Sequence, residues 1–531
     1  MVFDVSILNG TIVDGTGKPR YRADVGISSG RVEAIGRLSD AEAERRIDAA
    51  GHVVAPGFID MHSHSDRTLL HDPGAESRVH QGITTEVVGN CASTPFPVGP
   101  GGQESLDRSH VSDFRWDWTD LDGWACHLER EGISLNVAPQ VGQAAIRIAA
   151  GVTEDRPPTE DELREMRRLA AESVEQGAFS LTTGLTLPPS SYATTEEIVA
   201  LVEAIALYEG AFYASHARVW AGQHVAAVEE CVEIARRAGV PAQYSHMAII
   251  DPRAYGSGDQ LVAPIERARA EGVDAAYDVY PYTAAGTHLQ QLVPEWLQEG
   301  GVEVMLERLQ DPETRRRAIE DTSQGYFRGL PFEWDKLVLD YIGTDVNKHL
   351  VGKSIAEVAE GRNSTGVETM LDLIDEEDNN VGVVMHNRVE GDVRFFLGHP
   401  LAMIGSDGSS VSPTGVYAAD RPHPRFYGTY PRILGRYVRE QPAVLTLEDA
   451  IYKMTGFPAS RMSFRDRGTI AEGNVADLVV FDPDTVIDRA TFDDPHQYPA
   501  GMPHILVNGD LVVADGKHTG ARPGRVLRRG E

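Results

Sequence analysis

A chain of 531 residues can form one large domain with appendages, or two or three ordinary ones, without covalent staples. Its 80 acidic and 49 basic side chains leave a formal charge of −31, a field that repels polyanions and argues against nucleic acid or an anionic membrane as partner. An anionic small molecule would have to be held by local arginines or lysines against that field.

The chain opens MVFDVSILNG, which reads as a strand and not as a basic leader with an apolar core, so no signal peptide is expected. No apolar stretch approaches the roughly 20 residues a spanning helix needs. Cys91, Cys126 and Cys231 make no disulfide framework, and the expected compartment is the reducing cytosol. Residues 1–55 carry short β-rich runs punctuated by Asn9-Gly10, Asp14-Gly15 and Ser29-Gly30, the chemistry of hairpin turns. Residues 467–531 resemble them, with LVNGDLVVADGK echoing ILNGTIVDGTGK. The two ends are predicted to build one small β-sandwich together.

Over 56–283 and 351–466, helical periods alternate with short apolar runs that end in polar residues: TTEVVGNC, GAFSLTTGL, AFYASHAR, PAQYSHMA, DAAYDVYPY, VGVVMHN and AMIGSDG. Strands alternating with helices argue for an α/β fold on a parallel sheet, and seven or eight such units fit a (β/α)8 TIM barrel. Residues 284–350, rich in Trp, Glu, Arg and Pro, break the rhythm and are predicted to form an inserted helical subdomain near the barrel mouth. SDGSSVSPTGVYAADRPHP reads as a long loop after a barrel strand, where chemistry is carried in this fold.

APGFIDMHSHSD sets His62 and His64 one residue apart. In a strand, side chains i and i+2 share a face, so both imidazoles would point into the barrel mouth, a geometry that suits two ligands of one metal. Cys91, His216, His246 and Asp407 each end a predicted strand, which places them on the same rim. Thiolate, imidazole and carboxylate are the ligands zinc takes, and a catalytic site keeps one position open for water. Alone, Cys91 reads as a small buried hydrophobe; in this company it reads as a ligand. Cys126 and Cys231 fall in helical contexts as core or partly buried thiols, and His71, His80, His224 and His386 fall on helices or loops away from the rim. Neither GxGxxG nor GxxxxGK[ST] occurs, which argues against a nucleotide cofactor.

The chain resembles the amidohydrolase superfamily and, within it, the N-acyl-D-amino-acid deacylases, or D-aminoacylases. The resemblance covers nearly the whole chain and is carried by PGFIDMHSHSD at 56–66, QGITTEVVGNC at 81–91, GAFSLTTGL at 177–185, the two strand-end histidines, IGSDG at 404–408, HPRFYGTYPRILGRYVRE at 423–440 and GTIAEGNVADLVVFD at 468–482. It implies a (β/α)8 barrel flanked by a small β-sandwich, with a helical insertion near the site. Superfamily members with two metals mostly bridge them with a carbamylated lysine on strand four, and AFSLTTGL has no lysine. In the D-aminoacylase branch a cysteine on an earlier strand serves instead, which matches Cys91. By the same match, His216 and His246 complete a tightly held zinc with Cys91, while His62 and His64, with Asp407 nearby, form a second and weaker metal position.

The resemblance also implies the chemistry: hydrolysis of a linear amide by metal-activated water, with Asp407 taking a proton as base and returning it as acid. Substrate contacts fall by the match on Arg425 of the HPR motif, on Tyr280 or Tyr282 of DVYPY, and on Tyr192. A lysine that the family places two residues beyond the second zinc histidine is Ala248 here. A missing charge-assisted contact costs about 1.5–3 kcal/mol, so the substrate's carboxylate is held differently or is absent. The expected substrate is thus an N-acyl-D-amino acid or a related small-molecule amide. A cyclic amidohydrolase of the dihydropyrimidinase kind would want the strand-four lysine, and a catalytically dead scaffold would have lost ligands, whereas all six positions are filled. Whether the chain forms an oligomer stays open.

Overall fold

The structure, a computed structural model, describes residues 2–99 and 116–530. At its centre lie eight strands: β1 (Phe58–Asp60), β2 (Ile83–Val88), β3 (Asn136–Pro139, continued by Val141–Gly142), β4 (Ser180–Gly184), β5 (Phe212–His216), β6 (Ala242–Tyr244), β7 (Ala275–Val279) and β8 (Ala402–Ile404). Each pairs with the next in parallel, with Gln140 the hand-over point within β3. The ring closes where Met61 N donates to Ile404 O at 3.3 Å and Asp407 N donates to His62 O at 2.7 Å, beside a parallel bridge between Ser63 and Gly408. Ile59, Val87, Ala138, Phe212, Ala214, Ala276 and Met403 form one apolar cluster drawn from successive strands, so the barrel is a packed core and not a pore.

Local signals set the helices between strands. Glu160–Glu175 starts at a capping box in which Thr159 accepts from Glu162 N and Glu162 reaches back to Thr159 N. His224–Ala238 ends at Gly239, whose φ of 73° is the left-handed conformation that terminates helices. No helix among the described residues is long and apolar enough to cross a membrane.

Both chain ends contribute to a β-sandwich. One sheet orders the strands Arg31–Gly36, Asp24–Ser28, Val2–Leu8 and Glu42–Asp48. The other joins Val53–Pro56 from the first part of the chain to Leu478–Phe481, His504–Val507 and Asp510–Ala514 from the last. Val5, Ile7, Val25 and Ile27 of the first sheet share a core with Val54, Leu478, Val480 and Leu506 of the second. The echoed Asn-Gly pairs do the same work at both ends: Asn9 has φ 63° and Asn508 φ 50°, the turn conformation that asparagine tolerates.

One strand lies outside the barrel, against the expectation from sequence. VGVVMHN has the look of a barrel strand, yet Val381–Met385 lies between Ala285–His288 and Leu337–Ile342 in a separate antiparallel sheet. A strand with neighbours on both sides and packing on both faces is a continuous apolar run, which periodicity cannot tell from a parallel barrel strand. The insertion is therefore mixed α/β, and its own hydrophobic core runs from Leu289 to Met385 instead of ending at 350.

Candidate metal centre

The rim residues are brought together by strand ends with unusual backbone. Cys91, His246 and Asp407 have φ of 53°, 38° and 52°, left-handed values that cost a non-glycine residue on the order of 1–3 kcal/mol and cluster at functional sites. Each turns its side chain across the mouth where the preceding strand stops. The end of β4 can come close because it is glycine: a Cβ on Gly184 would lie 2.6 Å from the Cys91 carbonyl oxygen.

Two groups of ligand atoms result, and Cys91 belongs to both. Cys91, His216 and His246 offer donors within 4.8 Å of one another, and so do His62, His64 and Cys91. Cys91 Sγ lies 3.5 Å from His246 Nε2 and 3.4 Å from His62 Nε2, and His246 Nε2 lies 3.0 Å from His216 Nδ1. Asp407 Oδ1 stands 3.1 Å from His64 Nε2 and 3.7 Å from His62 Nε2. All six rim positions therefore converge. The sequence missed that one thiolate serves both groups, because its position between them is set by barrel closure.

Electrostatics favour the thiolate at Cys91 and the carboxylate at Asp407. Burial alone would push the Cys91 thiol up, but His62 beside it and hydrogen bonds from His216 and His246 outweigh that and hold it well below the ordinary thiol range. Burial opposes charge on Asp407 too, yet Arg425 and His64 hold it well below the usual carboxylate range. Against desolvation, Asp407 and Cys91 raise His64 to about 9. His246 is lowered, chiefly by burial. A thiolate, imidazoles and a carboxylate around one point form a donor set that suits zinc.

Supporting residues were not visible as motifs. Asp278, in DVYPY, lies with Oδ1 3.2 Å from His62 Nδ1, accepts from His246 N at 2.8 Å and, through Oδ2, from Gln243 Nε2 at 3.0 Å. It thus stands behind the His62 imidazole, where a carboxylate supports a metal-ligating ring, and holds the backbone of His246. Thr186 Oγ1 lies 2.6 Å from His216 Nε2. Beneath them, fully buried Arg78 pairs with Asp60 of β1 and with Glu86 of β2 (Nε to Oε1 2.6 Å), and donates to Ser406 beyond β8. That cation ties together the strands that carry His62, Cys91 and Asp407. An acid two residues before a histidine, as Asp60 is to His62, was the available signal.

A cavity of about 1600 Å³ opens over the centre between the barrel rim and the insertion. Arg425, Tyr280 and Ala248 line it. Arg425 Nη1 is already engaged, 2.9 Å from Asp407 Oδ2 and 2.9 Å from Tyr280 OH. Two expected contacts are not on the wall. Tyr282 is buried with its OH donating to Pro424 O at 3.3 Å, and Tyr192 donates to Glu295 O at 3.2 Å, fastening the insertion. DVYPY alternates faces, so Tyr280 and Tyr282 share one by count, but the chain leaves the strand after Val279 and that count fails. His71, placed away from the rim by sequence, lines the cavity but is in neither ligand group.

The amidohydrolase family model, described as "Amidohydrolase family", matches residues 45–513. The chain belongs to the amidohydrolase family. Among its relatives, an N-acyl-D-glutamate deacylase of Alcaligenes xylosoxydans xylosoxydans is 37% identical over 99% of this chain and 96% of its own length. A D-aminoacylase of the same organism is 34% identical over 99% of this chain and 98% of its own length. The solved N-acyl-D-glutamate deacylase of Bordetella bronchiseptica, complexed with zinc and a phosphonate mimic of the reaction tetrahedral intermediate, superposes with a TM-score of 0.83 at 33% identity, covering 99% of this chain and 100% of that one. This amidohydrolase thus stands with the N-acyl-D-amino-acid deacylases, and its β4 carries no lysine.

Proposed function

We propose that this protein is a zinc-dependent amidohydrolase that deacylates N-acyl-D-amino acids, releasing a carboxylate and a free amino acid. The observation that carries the reading is the pair of ligand groups meeting at Cys91 with Asp407 against one of them. Cys91, His216 and His246 would hold the tight zinc; His62, His64 and Cys91, beside Asp407, would frame a weaker second position. Zinc bound there polarises an amide carbonyl and makes water a nucleophile at neutral pH.

The chain's own residues supply the rest. Asp407, paired with Arg425, is ionised and has an unprotonated oxygen to take a proton from the attacking water. The same oxygen then delivers that proton to the departing amine nitrogen, which cannot leave as an anion. His64, hydrogen-bonded to Asp407, keeps the carboxylate turned toward the mouth. Residues of the insertion, among them Gln290, Gln291 and Leu306, line the cavity. The cytosol suits a site built on a free thiolate, and all three cysteines are unpaired.

The reading is tested with zinc-loaded protein against N-acyl amino acids of both configurations, beside carboxyl-blocked amides and hydantoins. Turnover of D-configured N-acyl amino acids is expected, with Asp407→Asn lowering kcat by about 100-fold or more while zinc stays bound. Hydrolysis confined to cyclic amides, or retained activity in Asp407→Asn, would contradict it.

A further inference from the structure

Resting on the deacylase reading, the geometry points to Arg388 as the group that takes the substrate's free carboxylate. The residues first expected to do so are unsuited to it. Ala248 lies on the cavity wall and carries no charge. An alanine side chain offers a carboxylate no hydrogen bond or counter-charge. Arg425 already has a carboxylate for its charge, its Nη1 lying 2.9 Å from Asp407 Oδ2 and 2.9 Å from Tyr280 OH.

Arg388 is differently placed. It follows the strand Val381–Met385 of the insertion, and its backbone N donates to Thr283 O at 3.2 Å, which fixes the segment beside the end of β7. Its guanidinium carbon sits 4.3 Å from the centre of the Tyr280 ring, which Arg425 also faces at 4.9 Å. Arg388 thus stands one aromatic ring away from the Arg425–Asp407 pair. It lines the cavity, its Nε is buried without a partner, and no carboxylate of the described residues pairs with it.

A guanidinium stacked on a tyrosine is held in one orientation, with its edge free to meet a carboxylate through two parallel N–H donors. In a chain of net charge −31, a cation that faces a cavity without a carboxylate partner is a local exception to the field. It selects anions there. The inferred substrate is accordingly an N-acyl amino acid with its carboxylate unblocked, and not a carboxamide or ester.

The test reads binding, so that it does not depend on turnover. Two unreactive probes are titrated into zinc-loaded protein by calorimetry: the ketomethylene analogue of N-acetyl-D-leucine, in which CH2 replaces the amide NH, and the primary carboxamide of that analogue. The wild-type protein is expected to bind the carboxylate about 10- to 100-fold more tightly. Arg388→Met should bring that ratio close to one, and Arg388→Lys, which keeps charge without the planar fork, should leave an intermediate ratio. Absence of carboxylate binding, equal affinity for both probes in the wild-type protein, or an unchanged ratio in Arg388→Met would overturn the inference. A preserved ratio in a protein that hydrolyses no N-acyl amino acid would instead remove the deacylase reading and leave Arg388 as an anion site.

Discussion

Arg425 and Asp407 form an ion pair, Nη1 to Oδ2 at 2.9 Å, with side chains 5% and 12% exposed. The arginine that resemblance assigns to the substrate thus grips the group assigned to proton transfer. Removing one partner of a buried pair leaves the other charge uncompensated. Arg425→Met is expected to lower kcat by about 10- to 100-fold through a misplaced and harder-to-ionise Asp407. Steady-state kinetics decides the matter: a raised KM with kcat intact would return Arg425 to substrate binding.

Cys91 is shared, so its loss and the loss of His62 should differ in kind. Cys91→Ala is expected to retain no zinc after extended dialysis, since both groups lose a ligand. His62→Ala should keep close to one zinc per chain on Cys91, His216 and His246. Metal analysis by atomic emission checks this, and equal loss in the two variants would sink the two-position description.

Asp278 touches no metal-facing atom yet orients His62 and the His246 backbone. Loss of such a supporting carboxylate weakens metal affinity by about 10- to 100-fold. Asp278→Asn should therefore surrender zinc to a lower concentration of chelator than the wild-type protein, with the fold intact by circular dichroism. Unchanged competition would reduce Asp278 to packing.

Asp340, on the cavity wall, is pushed up to about 7 by burial, and its Oδ1 has no partner. A carboxyl whose folded value lies above its unfolded one favours folding while protonated. That contribution is complete below about 4, shrinks as pH rises toward about 7, and is gone above it. Asp340→Asn lacks the titration. Its Tm should gain on that of the wild-type protein between pH 5 and pH 8 and change little more beyond; a difference that does not vary with pH would exclude Asp340 as the source.

Much of this was legible in sequence because it is local. Strand ends announce themselves where an apolar run meets a polar residue, and that pattern by itself sets Cys91, His216, His246 and Asp407 on one rim. Asn9-Gly10 and Asn508-Gly509 announce turns because asparagine and glycine tolerate left-handed backbone. By contrast, Val381–Met385 misled because burial on two faces erases the alternation that distinguishes one kind of sheet from another. Tyr192 and Tyr282 misled because a tyrosine near the mouth can be spent on a backbone carbonyl as readily as on a ligand.

The sequence alone determined the ligand types, their order on the strands and the absence of a lysine on β4, since these are properties of single residues and short periods. Only the tertiary structure decided that Cys91 belongs to both ligand groups, that Arg425 pairs with Asp407, and that Arg388 lines the cavity with no carboxylate partner among the described residues. Those are distances between residues far apart in the chain, fixed by closing β8 onto β1 and folding the insertion over the mouth, and no local pattern encodes them.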